Sequence, residues 1–320
     1  MEEEKKLYPF RFCSLEDNYS WGKEEFEIAD LGYRDSLVHD GWLAGNSIGE
    51  IMDMYMDRVV GENVFEFWGR QFPVTVKKIL VKGRMPLRVH PDDEISADRY
   101  DFLGKEKLWY VLRTGRNASL MLGFRRDTDA SEVYEKCADN SIDSIMNIVA
   151  PHAGQYFRIP PGTPHAAEGD IEILEISESS PLDFCMCGWG SEVSEDEFDP
   201  SLSLVEALDF INYNSYVQLS SAGKIVDIPQ FCITAIRLPD PVHVYSETFD
   251  SFEIYSCLKG AASIQLHILG QTADYALKEG ETVLVPAECQ DFFIVPTAKD
   301  TLILETTIPY RKEKDPYINQ

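Results

Sequence analysis

The chain of 320 residues is acidic and moderately apolar, and both properties exclude classes of protein. It carries 29 Lys and Arg against 55 Asp and Glu, a net charge of −26, so nucleic acid and anionic membrane surfaces would repel it and are not expected partners. With 44% hydrophobic residues it can bury one large core or two ordinary ones, and we expect two domains.

The first residues and the cysteines predict the cellular compartment. The opening run MEEEKKLYPF has charges without the apolar core of a secretory signal, and no run is long and apolar enough to span a membrane. The 7 cysteines are an odd number, dispersed along a chain too large to need disulfides. We therefore expect a cytoplasmic protein with reduced thiols.

Three segments are predicted to be helical from apolar residues recurring at three- and four-residue steps. These segments are 46–60, 131–148 and 204–211. Ser47 and Glu50 form a capping-box pattern at the start of the first, and Asn140 interrupts the second.

The rest of the chain is predicted to be β, in short aromatic and β-branched runs between turn residues. The runs of the first half are 108–113, 119–124, 155–159, 171–176 and 183–187. Those of the second half are 232–238, 252–260, 262–269, 282–286, 292–295 and 301–307. The acidic, apolar-poor segment 191–201 suits an exposed connection between them. We expect an N-terminal domain over 1–200 with helical insertions and a smaller C-terminal one over 201–320.

One β module is predicted to occur twice. Gly154, Pro160, Gly162 and His165 follow the spacing G-x5-P-x-G-x2-H, which describes a turn glycine, a five-residue strand, a Pro-Gly turn and an inward histidine. The same spacing recurs at Gly280, Pro286, Glu288 and Asp291, without the second glycine and the histidine. This spacing is typical of a cupin jelly roll. We expect an all-β protein of two tandem cupin-type jelly rolls, with a few helices packed on the first and the polar site kept only there.

Arg88 and His90 alternate in the run PLRVHPDDE and therefore share one face of the predicted strand. A histidine in this setting is typical of a metal or active site. A cationic side chain such as Arg88, as the nearest neighbour on the same face, is not typical of such a site.

Several runs, in order and spacing, resemble the short, zinc-dependent mannose-6-phosphate isomerases of the cupin superfamily. They are FPVTVKKIL (72–80), RVHPDDE (88–94), GKEKLWYVL (104–112), PPGTPHA (160–166), LEISESS (174–180) and LVEALDFI (204–211). The resemblance covers residues 20–212 and, more loosely, the second module. It implies a sugar-phosphate isomerase of carbohydrate metabolism.

The chain departs from this family where the family binds metal. The resemblance implies zinc ligands at four positions and a catalytic arginine at a fifth. Here Arg88 stands in place of the ligand Gln, Lys107 in place of the ligand Glu and Cys185 in place of the catalytic Arg, so that only His90 and His165 match. Arginine has no lone pair to give, and lysine has one only after losing a proton, so we expect no bound zinc.

A rebuilt metal site is the alternative. Glu106 is one residue from the expected ligand position and would face the metal only if a β-bulge were present. Cys185 and Cys187 share a strand face, and their thiolates could bind zinc. Glu175 alternates with inward residues, and as a buried carboxylate it would need Arg88 or Lys107 as its partner.

Three functions remain open from the sequence. The first is a degenerate relative that binds an anionic sugar or related metabolite at Arg88, His90, Lys107, His165, Glu175 and Cys185 without zinc. The second is an active aldose–ketose sugar-phosphate isomerase with zinc at His90, His165 and a third ligand such as Glu106. The third is an interaction protein with an empty barrel.

Overall fold

The computed structural model describes residues 5–189, 200–218, 225–246, 250–268 and 271–309, most of them in antiparallel strands. The strands of the first half are β1 (Leu15–Tyr19), β2 (Gly22–Ile28), β3 (Val74–Val81), β4 (Leu87–Val89), β5 (Lys107–Thr114), β6 (Ser119–Phe124), β7 (Met146–Val149), β8 (Tyr156–Ile159), β9 (His165–Glu168), β10 (Ile171–Glu178) and β11 (Phe184–Cys187). Those of the second half are β12 (Val226–Asp227), β13 (Cys232–Leu238), β14 (Val242–Tyr245), β15 (Glu253–Lys259), β16 (Ala261–Ile268), β17 (Gln271–Lys278), β18 (Thr282–Val285), β19 (Asp291–Pro296) and β20 (Thr301–Thr307).

Each half forms two sheets with the same strand arrangement. The order β3-β10-β5-β8 of one sheet is repeated as β13-β20-β15-β18, and β4-β9-β6-β7 of the other is repeated as β14-β19-β16-β17. Strands β1 and β2 extend the first of these sheets, and β11 lies at the edge beside β4. The predicted fold class, all-β with two jelly rolls, is confirmed.

The described residues contain six α-helices and one 3₁₀ turn. They are α1 (Ile48–Tyr55), α2 (Asp57–Val60), α3 (Glu62–Trp68), α4 (Asp93–Tyr100), α5 (Ala130–Ala138) and α6 (Pro200–Ala207), with the 3₁₀ turn at Ile142–Ser144. None of them is long and apolar enough to cross a membrane.

The helix predictions are right about position and partly wrong about extent. The capping box at Ser47 and Glu50 is present, but Met56 with φ 47° divides the predicted helix into α1 and α2. Asn140, with φ 59°, follows the end of α5, and β7 occupies the final part of the segment predicted to be helical. The third helix begins earlier than predicted, at Pro200, and ends at Ala207.

The chain divides into two compact units. One contains residues 15–26 and 74–219 with the first jelly roll, and the other contains 1–14, 27–73 and 220–320 with the second. Helices α4 to α6 belong to the first unit and α1 to α3 to the second. The predicted domain bounds, 1–200 and 201–320, stay a prediction, and most of the acidic segment 191–201 lies outside the described residues.

Both turn glycines of the repeated spacing adopt left-handed backbone conformations, with φ 88° at Gly154 and 81° at Gly280. Gly162 also has a positive φ of 75°, and a Cβ there would meet the carbonyl oxygen of Phe210 at 2.6 Å. A side chain at Gly162 would therefore push apart the turn that leads into His165.

Candidate functional site

Lys107 begins β5 and lies inside the first jelly roll. Trp109 and Val111, two and four residues further on, pack in its core, so strand alternation places Lys107 on the same inward face. The lysine is 1% exposed. Its Nζ lies 2.9 and 2.7 Å from Oδ1 and Oδ2 of Asp183 and 3.2 Å from Nε2 of His165.

His165 is held as a neutral imidazole that accepts from this lysine. Its Nδ1 lies 3.0 Å from the carbonyl oxygen of Thr163, which can only accept, so Nδ1 carries the proton and Nε2 presents its lone pair to Lys107. Burial and the neighbouring ammonium lower the pKa of His165 to about 3.

His90 is fully buried beside the first histidine, with ring centroids 5.2 Å apart. Burial, followed by the charge on Lys107, holds the pKa of His90 well below its usual range. Neither ring nitrogen has a hydrogen-bond partner among the residues that the structure describes, and Nδ1 lies 3.9 Å from Oδ1 of Asp183. A buried imidazole with two unsatisfied nitrogens is uncommon and is typical of a site that receives something else.

Asp183 completes the cluster, and the sequence reasoning missed it. It precedes β11 by one residue and lies two residues before Cys185, so alternation along this strand was the available signal. Burial opposes ionisation of this carboxyl, but Lys107 and Lys105 outweigh it and hold the pKa of Asp183 well below its usual range. We call Lys107, His90, His165 and Asp183 the lysine centre.

The lysine centre contains both a possible metal-binding group and a lysine side chain in contact with it. Ligand atoms of His90, His165 and Asp183 lie within 4.8 Å of one another, which is close enough for a shared metal. However, the ammonium of Lys107 is at hydrogen-bond distance from two of the three and has no lone pair to offer. An internal cation thus occupies the region that these ligands would share.

A second buried charge group lies on the neighbouring strands. Glu175 accepts a 2.6 Å hydrogen bond from the indole Nε1 of Trp109, and Nζ of Lys77 lies 3.5 Å from Glu175 and 3.1 Å from Glu24. Burial would raise the pKa of Glu175, but Lys107 and Lys77 lower it to about 2. Glu175 is 1% exposed and faces inward as predicted. Of its two expected partners, Lys107 supplies the largest opposing charge, whereas the direct contacts of Glu175 are Trp109 and Lys77.

Lys105 adds a further buried cation. Its Nζ lies 2.6 Å from the carbonyl oxygen of Ser180 and 3.4 Å from Oδ2 of Asp183. Burial and the neighbouring Lys107 lower the pKa of this lysine to about 8, against the opposing effect of Asp183.

The other predicted residues lie around the lysine centre. Arg88 is paired in register with His165 on one side and with Cys185 on the other, which places the three on one face of the sheet. The guanidinium of Arg88 donates to Glu24 at 3.3 Å. Glu106, the expected third ligand, is on the opposite face of β5, where Arg158 holds its carboxylate at 2.6 and 3.1 Å. No β-bulge near Glu106 turns its side chain toward the histidines. The carboxylate beside the histidines is that of Asp183.

The first jelly roll brings basic side chains and carboxylates together at this end. Four basic side chains, Lys77, Arg88, Lys105 and Lys107, face three carboxylates, those of Glu24, Glu175 and Asp183. Both histidines are neutral, so the basic side chains are the positive groups of this region in a protein of net charge −26. Such a region can attract an anion through charge-assisted hydrogen bonds.

No protein-family model matches the chain. It is 21% identical to a probable mannose-6-phosphate isomerase of Bacillus subtilis over 285 residues, which cover 86% of this chain and 87% of that protein.

Solved structures show the same fold. The crystal structure of the mannose 6-phosphate isomerase from Bacillus subtilis aligns with a TM-score of 0.77 at 20% identity, covering 93% of this chain and 99% of the other. A zinc-bound mannose 6-phosphate isomerase aligns with a TM-score of 0.70 at 13% identity, covering 95% and 100%. The chain is therefore similar in sequence to a mannose-6-phosphate isomerase along most of its length and shares the cupin-type fold of these enzymes.

Proposed function

We propose that this mannose-6-phosphate isomerase-like protein binds an anionic sugar or sugar phosphate in its first jelly roll without zinc-dependent isomerisation. The observation that supports this is the position of the Lys107 ammonium, 2.7 Å from Asp183 and 3.2 Å from His165. The expected ligand class is that of the related enzymes, and carbohydrate metabolism is the expected context.

Electrostatics oppose a metal beside this lysine. Two unit positive charges 4 Å apart repel by about 4 kcal/mol at an effective dielectric near 20, and a divalent ion doubles that. Lys107 would have to lose its proton or leave its three acceptors before the cluster could bind zinc. The same positive charge is favourable for a phosphate or carboxylate.

Arg88 is the proposed anion ligand, and calorimetry with mannose 6-phosphate tests it. Its guanidinium can form two parallel hydrogen bonds to a phosphate, and it already donates to one carboxylate, that of Glu24. We expect binding to the wild type, at least about tenfold weakening in Arg88→Ala, and further weakening at raised salt. Arg113→Ala is the control, because this exposed arginine pairs with Asp170 away from the lysine centre.

Elemental analysis and an isomerase assay test the other half of the proposal. The purified protein is expected to hold no stoichiometric zinc and to interconvert no mannose 6-phosphate and fructose 6-phosphate. The triple variant Arg88→Gln, Lys107→Glu and Cys185→Arg should gain zinc, whereas Arg88→Gln with Cys185→Arg alone should not. Equal zinc uptake by both variants would remove Lys107 from the explanation.

An active isomerase with a rebuilt metal site is the second candidate, favoured by the two unpartnered nitrogens of His90 and its proximity to His165 and Asp183. One tightly held zinc per chain, lost in His90→Gln together with isomerase turnover, would establish it in place of the proposal. Absence of any anion binding, with no zinc, would instead favour the interaction protein with an empty barrel.

A further inference from the structure

The second jelly roll has a residue equivalent to Lys107, and it is Glu253. Lys107 pairs in register with Ile159, the residue before Pro160. Glu253 pairs with Val285, the residue before Pro286, on the corresponding strands β15 and β18. The lysine and the glutamate therefore occupy the same position in the two copies of the fold.

The neighbouring residues also correspond. Tyr255, two residues after Glu253, donates its hydroxyl to Glu305 at 3.1 Å, just as the indole of Trp109 donates to Glu175 at 2.6 Å. Register pairs Glu305 with Tyr255 and Glu175 with Trp109 in the same way. The second jelly roll has thus kept the aromatic donor and carboxylate acceptor of the first.

At the corresponding register position, the lysine of the first jelly roll is replaced. Thr234 is the cross-strand partner of Glu305, where Lys77 is the partner of Glu175. In the described residues, no lysine or arginine forms an ion pair with Glu253. Burial and the charge of Glu305 raise the pKa of Glu253 to about 8.

Glu253 lines a cavity of about 190 Å³ in the second jelly roll. Besides Glu253, its wall includes Asp250, Gln290, Thr307, Phe252 and Phe292. The lining residues thus combine carboxylate, amide and hydroxyl side chains with two phenylalanines. A concave site with a few convergent polar groups on an apolar wall is typical of small-molecule binding.

The turn that forms one wall of this cavity is anchored by two residues of α2. The amide of Ala287 donates to the carbonyl of Val59 at 2.9 Å, and Arg58 holds the carboxylate of Glu288 at 2.9 Å. From the sequence spacing, Asp291 corresponds to His165. In the structure Asp291 is exposed and pairs with His243, and the next residue, Phe292, points into the core. The polar side chains of the cavity are instead those of Glu253, at the start of β15, and of Asp250, Gln290 and Thr307.

We propose that this cavity is a second small-molecule site, selective for a small organic ammonium compound whose charged nitrogen lies beside Glu253. A protonated amine would supply the cation that Lys107 supplies inside the first jelly roll, and it would favour the ionised form of the glutamate. Gln290 and Thr307 can hydrogen-bond its polar substituents, and Phe252 and Phe292 can contact its carbon atoms.

Ligand-observed NMR on the full chain at pH 7 tests the site with three probes of similar size. Ethanolamine carries a positive charge, ethylene glycol carries none and glycolate is an anion. Ethanolamine is expected to bind at least about tenfold more tightly than ethylene glycol, which corresponds to 1.4 kcal/mol, and glycolate is expected not to bind. Equal binding of ethanolamine and ethylene glycol, or no binding of ethanolamine, overturns the proposal.

Variants separate this cavity from the rest of the surface. Glu253→Gln should weaken ethanolamine binding at least about tenfold, and Glu253→Asp, which keeps a carboxylate, should retain more of it. Glu279→Gln, at an exposed carboxylate of the same jelly roll, is the control and should change nothing. Unchanged binding in a folded Glu253→Gln protein would overturn the proposal, and Arg88→Ala should leave ethanolamine binding intact, so the two proposed sites fail independently.

Discussion

Lys107 and Glu253 stand at one position in two copies of the same fold, yet one is an ammonium and the other a carboxyl. Lys107 is surrounded by Asp183 and His165. Glu253 faces a second carboxylate, Glu305, and a cavity. The jelly roll thus determines where an inward polar group lies, and the residues around that position determine which charge it can hold.

The largest expected effect is the loss of the internal cation in the first jelly roll. Lys107→Met leaves Asp183 buried without its closest partner and should lower the free energy of unfolding by about 3–5 kcal/mol. Chemical denaturation measures it. Adding Asp183→Asn to Lys107→Met should recover part of the loss, because the carboxylate that lost its closest partner is then replaced by a neutral amide. A change within about 0.5 kcal/mol for Lys107→Met alone would mean that the ammonium does not hold the centre together.

The second expected effect is an opposite pH dependence in the two jelly rolls, beginning with Glu253. Its pKa is raised from 4.5 to about 8, so its stabilising contribution is present below pH 4.5 and is lost as the pH rises through 8. The groups that face it are Tyr255, Glu305 and Cys289. Glu253→Gln should therefore raise thermal stability relative to the wild type at pH 8.5 and change it little at pH 4.5.

Glu175 should show the reverse behaviour. Its pKa is lowered from 4.5 to about 2, so its contribution is present above pH 4.5 and is lost as the pH falls through 2. Glu175→Gln should destabilise the protein at neutral pH and lose this effect in acid. Thermal scans of Glu175→Gln and Glu253→Gln across the same buffers check both signs. The same sign in both variants would contradict the assigned electrostatics.

The smallest expected effect compares the two aromatic donors. Trp109→Phe removes a 2.6 Å hydrogen bond to the buried, ionised Glu175 and should cost about 1.5–3 kcal/mol. Tyr255→Phe removes a 3.1 Å bond to Glu305, which is only partly buried, and should cost about 0.5–1.5 kcal/mol. Urea denaturation midpoints of the two variants give the comparison, and a larger loss in Tyr255→Phe would reverse the ranking of the two sites.

Local patterns in the sequence predicted the parts of the fold that depend on neighbouring residues. The capping box at Ser47 and Glu50 is present because its two hydrogen bonds join residues three apart. The end of the second helix near Asn140 followed from a turn residue, but the strand after it was missed. This strand is short, and its alternate residues differ in burial, since Met146 is buried and Ile148 is exposed. It therefore offers too few residues for hydrophobic periodicity to distinguish a strand from a helix.

Strand alternation was enough to place Lys107, His165 and Glu175 inside the first jelly roll, since side chains on a strand repeat every second residue. It also kept Glu106 out, because a residue next to an inward one faces the other side. The sequence by itself therefore determined the fold class, the repeat and the inward faces of its strands.

The tertiary structure alone decided which side chains meet. Asp183 lies 76 residues from Lys107, and nothing near either residue predicts the 2.7 Å contact between them. Tyr255 and Glu305 are 50 residues apart. Strand pairing across the sheets brings together the charges that stabilise Lys107 and those that oppose ionisation of Glu253. Periodicity within one strand carries no information about which residue lies opposite.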